Sequence, residues 1–235
     1  MRILKISLIL IFIPFSLAFS DIIGSKHDLS FSSGNTIRAK SGTTDYICVF
    51  CHTPHASNSD FSDIPIWNRQ TNLETYTTYG TTIAGTAVTA LSNTSKVCLS
   101  CHDGTSAINS LINAPGSGLL GESSFTAGGL VKMNSAEDGE TFKMPVGASN
   151  FGIDLSNTHP ISVEYTAGKG SLRELSTDLG SGWTTSDKLN KVSSLLKNGK
   201  VECTSCHDPH LGENKTFLRS GDNTKSKLCL GCHNK

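Results

Sequence analysis

The chain has 235 residues, enough for one or two ordinary domains, but only 37% are hydrophobic, and Gly, Ser, Thr and Asn are abundant. Such a composition struggles to bury a conventional apolar core. Twenty Lys and Arg balance twenty Asp and Glu without a basic cluster, which argues against nucleic acid or an anionic membrane surface as partner.

Residues 1–20 open with Arg2 and Lys5, continue as the apolar run ISLILIFIPFSLAF and close on Ala18-Phe19-Ser20. This is the layout of a secretory signal peptide. The rival reading, a membrane anchor, meets a run shorter than the roughly 20 residues of a spanning helix and broken by Pro14. No later stretch is comparably apolar, so no integral membrane span is expected. The exported chain would start near Asp21 and, without Arg2 and Lys5, carry a net charge of −2.

Beyond the leader, one pentapeptide recurs four times: CVFCH at Cys48–His52, CLSCH at Cys98–His102, CTSCH at Cys203–His207 and CLGCH at Cys229–His233. The four copies use all eight cysteines. They divide the chain into a first pair of sites within 21–102, an insert at 103–202 holding 14 of the 22 glycines, and a second pair within 203–235. Cys-x-x-Cys-His is the signature of c-type haem attachment. Two thiols on one side of a helical turn meet the two vinyl groups on one edge of the porphyrin, and the next residue is carried beneath the ring to ligate iron. A zinc knuckle pairs cysteines at the same spacing, and disulfides are permitted in an exported chain. Neither requires a histidine after every second cysteine.

Eight histidines complete the count. His52, His102, His207 and His233 stand inside the motifs as proximal iron ligands, and His27, His55, His159 and His210 remain outside as candidate distal ligands. Four haem c groups with two imidazoles each need that number. His55 and His210 lie three residues past a proximal histidine, with Pro54 and Pro209 preventing a helical continuation. Neither can turn back to the far face of its own haem, so each should serve a different one. Taken singly, each of the four could be a surface histidine. Met133 and Met144 are rival axial ligands that would raise a haem's potential, but they read better as packing residues, as do Trp67 and Trp183 beside porphyrins.

Little regular structure is expected. The best helix of the insert is read at Ser186–Asn198, where Leu189, Val192, Leu195 and Leu196 recur at helical spacing. Short helical turns should surround Cys98–His102 and Cys229–His233, with Ser95 and Thr224 as caps. The Thr-rich segment 75–88 could form short strands. The fold class is therefore mostly irregular, with few short helices and minor strands wrapped around four haems whose flat apolar faces substitute for a side-chain core.

SKHDLS, CVFCHTPHAS, CLSCHDG, SNTHPIS and the closing VECTSCHDPH…FLRS…KLCLGCHNK fall in the order seen in tetrahaem outer-surface cytochromes. The chain resembles the OmcE type, whose members polymerise into extracellular cytochrome nanowires. The resemblance implies bis-histidine ligation throughout, a fold wrapped around a continuous stack of four haems, and a head-to-tail filament in which one haem takes a histidine from the next subunit. By position His55 is that donor, with the haem at Cys229–His233 as recipient. Iron capped by two imidazoles has no open position for substrate, so electron transfer rather than catalysis is expected, to redox partner proteins or extracellular acceptors. Three readings stay open: a filament subunit outside the cell, a monomeric periplasmic shuttle, and a multihaem reductase with one open site.

Overall fold

The computed structural model describes residues 22–41, 43–114, 133–134, 142–212 and 214–234. The leader read at 1–20 and much of the insert's first half lie outside these residues. Within them the longest element is helix α1, Asn93–His102, which carries the second motif at its C-terminal end. Nothing in NTSKVCLSCH breaks a helix, and the helix follows an extended Ser92. That residue, rather than Ser95, occupies the cap position. Its hydroxyl does not cap α1 but donates to Glu202 at 2.5 Å.

Strands β1, Val163–Glu164, and β2, Lys200–Val201, pair antiparallel in the register Val163↔Val201 and Glu164↔Lys200. β2 runs into α2, Cys203–Cys206, which holds the third cysteine pair. The fourth pair sits in α3, Lys227–Cys232, entered through a left-handed Ser226 and preceded by a 3-10 turn at Thr224–Ser226. The first pair lies on a 3-10 turn at Cys48–Phe50. Apart from these elements and further 3-10 turns, the described chain is coil, as expected of a mostly irregular fold with few short helices and minor strands.

A local pattern repeats at three of the four motifs. The cysteines occupy one helical turn, and the histidine is then fixed by an isolated bridge: His52↔Trp67, His207↔Leu218 and His233↔Leu172. His207 and His233 are extended, at φ −119° and −101°. His102 differs by ending α1 in helical register.

Two expected elements are absent. Ser186–Asn198 yields only a 3-10 turn at Val192–Leu195. Lys188, Asn190 and Asn198 take left-handed backbone, with φ of 58°, 49° and 52°, and the Asp187 carboxylate accepts the Leu189 N–H at 3.0 Å. That side-chain bond offers the backbone an alternative to helix. Segment 75–88 makes single bridges, Thr77↔Asp154 and Thr81↔Ala87, and no strand.

Side-chain packing is split among three small clusters. Ala39, Phe50, Ile108, Leu111 and Met133 form one, with Met144 packed at its edge. Val88, Val163 and Val201 form the second, and Leu91, Leu99 and Leu155 the third. Met133 is 1% exposed. Trp183 lies against Gly231 of the fourth motif, where an added Cβ would come 2.5 Å from the indole. A glycine there permits the close approach.

Candidate haem-binding site

The histidines form pairs. His27 faces His102 with ring centres 6.1 Å apart, His52 faces His210 at 6.3 Å, and His159 faces His233 at 6.5 Å. Each pair joins one motif histidine to one outside the motifs. Two imidazoles binding one metal from opposite sides, each through a nitrogen about 2 Å away, would place their ring centres roughly 6 Å apart. The planes differ among the pairs: 15° for His52 and His210, against 68° and 72° for the other two.

Second bonds fix the orientation of these rings. The Nδ1 of His52, His102, His207 and His159 lie 3.0, 2.7, 2.8 and 3.0 Å from the carbonyls of Pro65, Ser149, Thr216 and Pro160. The His27 ring bonds the Pro209 carbonyl. A carbonyl only accepts, so the ring nitrogen facing it carries the proton. In the four rings bonded through Nδ1, this leaves Nε2 with its lone pair outward, the arrangement found in metal-ligating histidine. His233 Nδ1 stands 3.3 Å from the Ser171 hydroxyl. His210 Nδ1 is 3.4 Å from Asp208, whose other oxygen pairs with Arg219 at 3.2 Å. Burial, reinforced by His102, lowers the His27 pKa to about 4, keeping the ring in the neutral form that ligates metal.

The segment that follows the third cysteine pair serves two of the ring pairs and the His207 ring as well. It supplies His207 and places His210 opposite His52. It also supports His27, through the Pro209 carbonyl and through Phe217, stacked on that ring at 4.2 Å and 11°. Thr216 and Phe217 both take positive φ, 58° and 59°. That costly backbone presents the Thr216 carbonyl to His207 and the Phe217 ring to His27.

All eight cysteines are free, so no disulfide competes for them. Their neighbours define a line. Cys51 lies near enough to Cys101 for their charges to interact, Cys98 hydrogen-bonds Cys203, and Cys206 interacts with Cys229. The motifs thus adjoin in chain order, first to fourth. Burial, then the adjacent Cys101, pushes the Cys51 thiol up to about 12, and burial is the main cause for Cys206 and Cys232, both about 11.

Two histidines remain. His207 is exposed, and among the described residues no second ring faces it. His55 is also exposed, with no hydrogen bond or ring pair to its imidazole among the described residues. Its backbone is held, however: the His55 carbonyl accepts from Thr53 Oγ1 at 3.0 Å and Asn113 Nδ2 at 3.1 Å. His233 has His159 opposite it, and among the described residues the motif histidine without a facing ring is that of the third motif.

The protein also offers a fit to the group itself. Trp67 Nε1 is buried with no acceptor among the described residues, beside His52 at a ring distance of 6.0 Å. A buried N–H whose acceptor the protein does not supply suits an anionic haem propionate. Sequence reasoning singled out the ligands but not their supports, Pro65, Ser149, Asp208 and Thr216. A backbone carbonyl leaves no trace in residue type; only Asp208, beside His207, was open to notice.

Residues 195–235 match the family model of the doubled CXXCH motif. No curated protein matches the chain. The match covers the third and fourth motifs, a pattern that suggests a multihaem c-type cytochrome, and the motifs imply covalently bound haem c. It suggests electron transfer.

Proposed function

We propose that this chain is an exported electron-transfer protein that binds four haem c groups and polymerises, each subunit's His55 completing the haem held by Cys203, Cys206 and His207 of the next. One observation carries the reading: three motif histidines face three partners at 6.1–6.5 Å, while His207 and His55 are exposed and do not face each other. A monomeric shuttle would have to supply all eight ligands from one chain. A contact that repeats head to tail without closing builds a filament, and a coordinate bond at each contact would fix its register.

Bound in these sites, haem c supplies one-electron redox chemistry at iron. The chain's residues set the conditions. The facing imidazoles would hold iron between them and leave substrate no place at it, the second bonds fix each ring, and the line of cysteines would set which haems adjoin. The leader read at residues 1–20 supports export, and the filament reading puts the protein outside the cell, with minerals or other external acceptors as terminal partners. The periplasm is the alternative for a monomer.

Intact mass should show four haem groups per mature chain, one on each motif peptide; fewer would contradict the assignment. Ferric spectra offer a second check. Near-parallel imidazoles donate to the same iron orbital, whereas near-perpendicular ones divide their donation between two. Electron paramagnetic resonance of the isolated subunit should therefore resolve one rhombic low-spin signal and two strongly axial ones. Three identical low-spin signals would contradict the plane angles.

The exposed His207 without an opposing ring also favours a second reading, a reductase whose third haem keeps an open site. Carbon monoxide separates the two. Assembled, reduced filaments should bind almost none, whereas a reductase would bind one equivalent per chain in any state.

A further inference from the structure

Glu202 is 2% exposed and stands at the junction of the second and third motifs. It directly precedes Cys203, and its carboxylate reaches across to α1. Oε1 accepts from Ser92 Oγ at 2.5 Å; Oε2 accepts from Ser162 Oγ at 3.0 Å and from Ser95 Oγ. The Ser95 hydroxyl in turn accepts the Cys203 N–H at 3.3 Å, and the thiols of Cys98 and Cys203 touch a turn away. Three hydroxyls thus donate to the carboxylate, and no cation among the described residues pairs with it.

Burying an unpaired charge is costly. A glutamine could tie the same segments together without that cost, so what the carboxylate adds is its charge. The other buried charges do not cancel it. Asp208 is neutralised by Arg219 at 3.2 Å. Arg69 sits at the opposite end of α1, where its guanidinium bonds the neutral Ser100, Ala107 and Ile108. Asp28 and Asp103 carry the same sign as Glu202 and take their bonds from local hydroxyl and N–H groups.

We propose that Glu202 is a buried fixed charge that lowers the reduction potentials of the haems attached at Cys98–His102 and Cys203–His207. Adding an electron beside an anion in a poorly polarisable interior is disfavoured. A unit charge roughly 10 Å away at an effective dielectric constant of about 20 alters a one-electron equilibrium about tenfold. The proposal rests on haem attachment at these two motifs and not on polymerisation.

The test is a potentiometric titration of the haem-loaded protein, after intact mass has established the haem count. In Glu202→Gln, two of the four reduction steps should move upward by about tenfold in equilibrium constant, near 59 mV for one electron, and the other two should move less. Glu202→Asp, which keeps the charge, should stay close to the parent. Unchanged potentials in a fully loaded Glu202→Gln protein would overturn the proposal, as would equal shifts in both variants. Should Glu202→Gln fail to load its haems, Ser95→Ala leaves the charge and removes one hydroxyl that screens it. The same two steps should then move downward, and no shift or an upward one would overturn the proposal. Loss of haem from both motifs in the parent would instead refute the attachment reading, a failure visible in the mass before any titration.

Discussion

His55→Ala should give a chain that folds, carries its full haem complement and no longer forms filaments. The ring is exposed and makes no bond within the described chain, while the local backbone is held by Thr53 and Asn113 through carbonyls that alanine keeps. The change in stability should therefore stay within about 0.5 kcal/mol. What the variant loses is the donor to the neighbouring subunit. It should behave as the unassembled wild-type subunit does, with three low-spin haems and a fourth that binds one equivalent of carbon monoxide per chain when reduced. Free imidazole should restore the low-spin spectrum without restoring filaments. Filaments of normal length from His55→Ala would refute the donor assignment.

Replacing all eight cysteines by alanine should leave the chain without stable tertiary structure. Among the described residues the apolar clusters are small and separate, holding five, three and three buried residues. The sheet has two strands of two residues each. Many residues also hold costly left-handed backbone, among them Ile66, Thr216 and Phe217, a geometry that persists only where the surroundings enforce it. Without porphyrin faces to pack on, the few side-chain contacts cannot offset the entropy of ordering this chain. Rapid proteolysis and a coil-like circular dichroism spectrum are expected. A protease-resistant, cooperatively melting cysteine-free protein would contradict a haem-built interior.

The motifs were legible because covalent attachment demands fixed residues at fixed spacing, and the coil-rich architecture followed from a composition too polar for a core. The ring pairing was not legible. His27 meets His102 because the Pro209 carbonyl and the Phe217 ring, far along the chain, hold it there, and periodicity carries no record of such contacts. Reasoning by analogy sent His55 to the fourth motif. In the folded chain His159 faces His233, a contact that neither the motifs nor the resemblance records. The missed helix at Ser186–Asn198 has a local cause. Its leucines keep helical spacing, but Asp187 diverts the Leu189 N–H, and two residues then turn left-handed. Glu202 was visible as an acid wedged between Val201 and Cys203, a place where an unpaired charge is unexpected, yet only the folded chain brings the three serines to it.

The most direct test of the account is a density map of the assembled particle in which metal positions are resolved. It predicts four irons per subunit. Three lie between His27 and His102, His52 and His210, and His159 and His233; the fourth lies between His207 and the His55 ring of a neighbouring subunit. An iron between any other pair of histidines, or a third-motif iron capped from within its own chain, would contradict it.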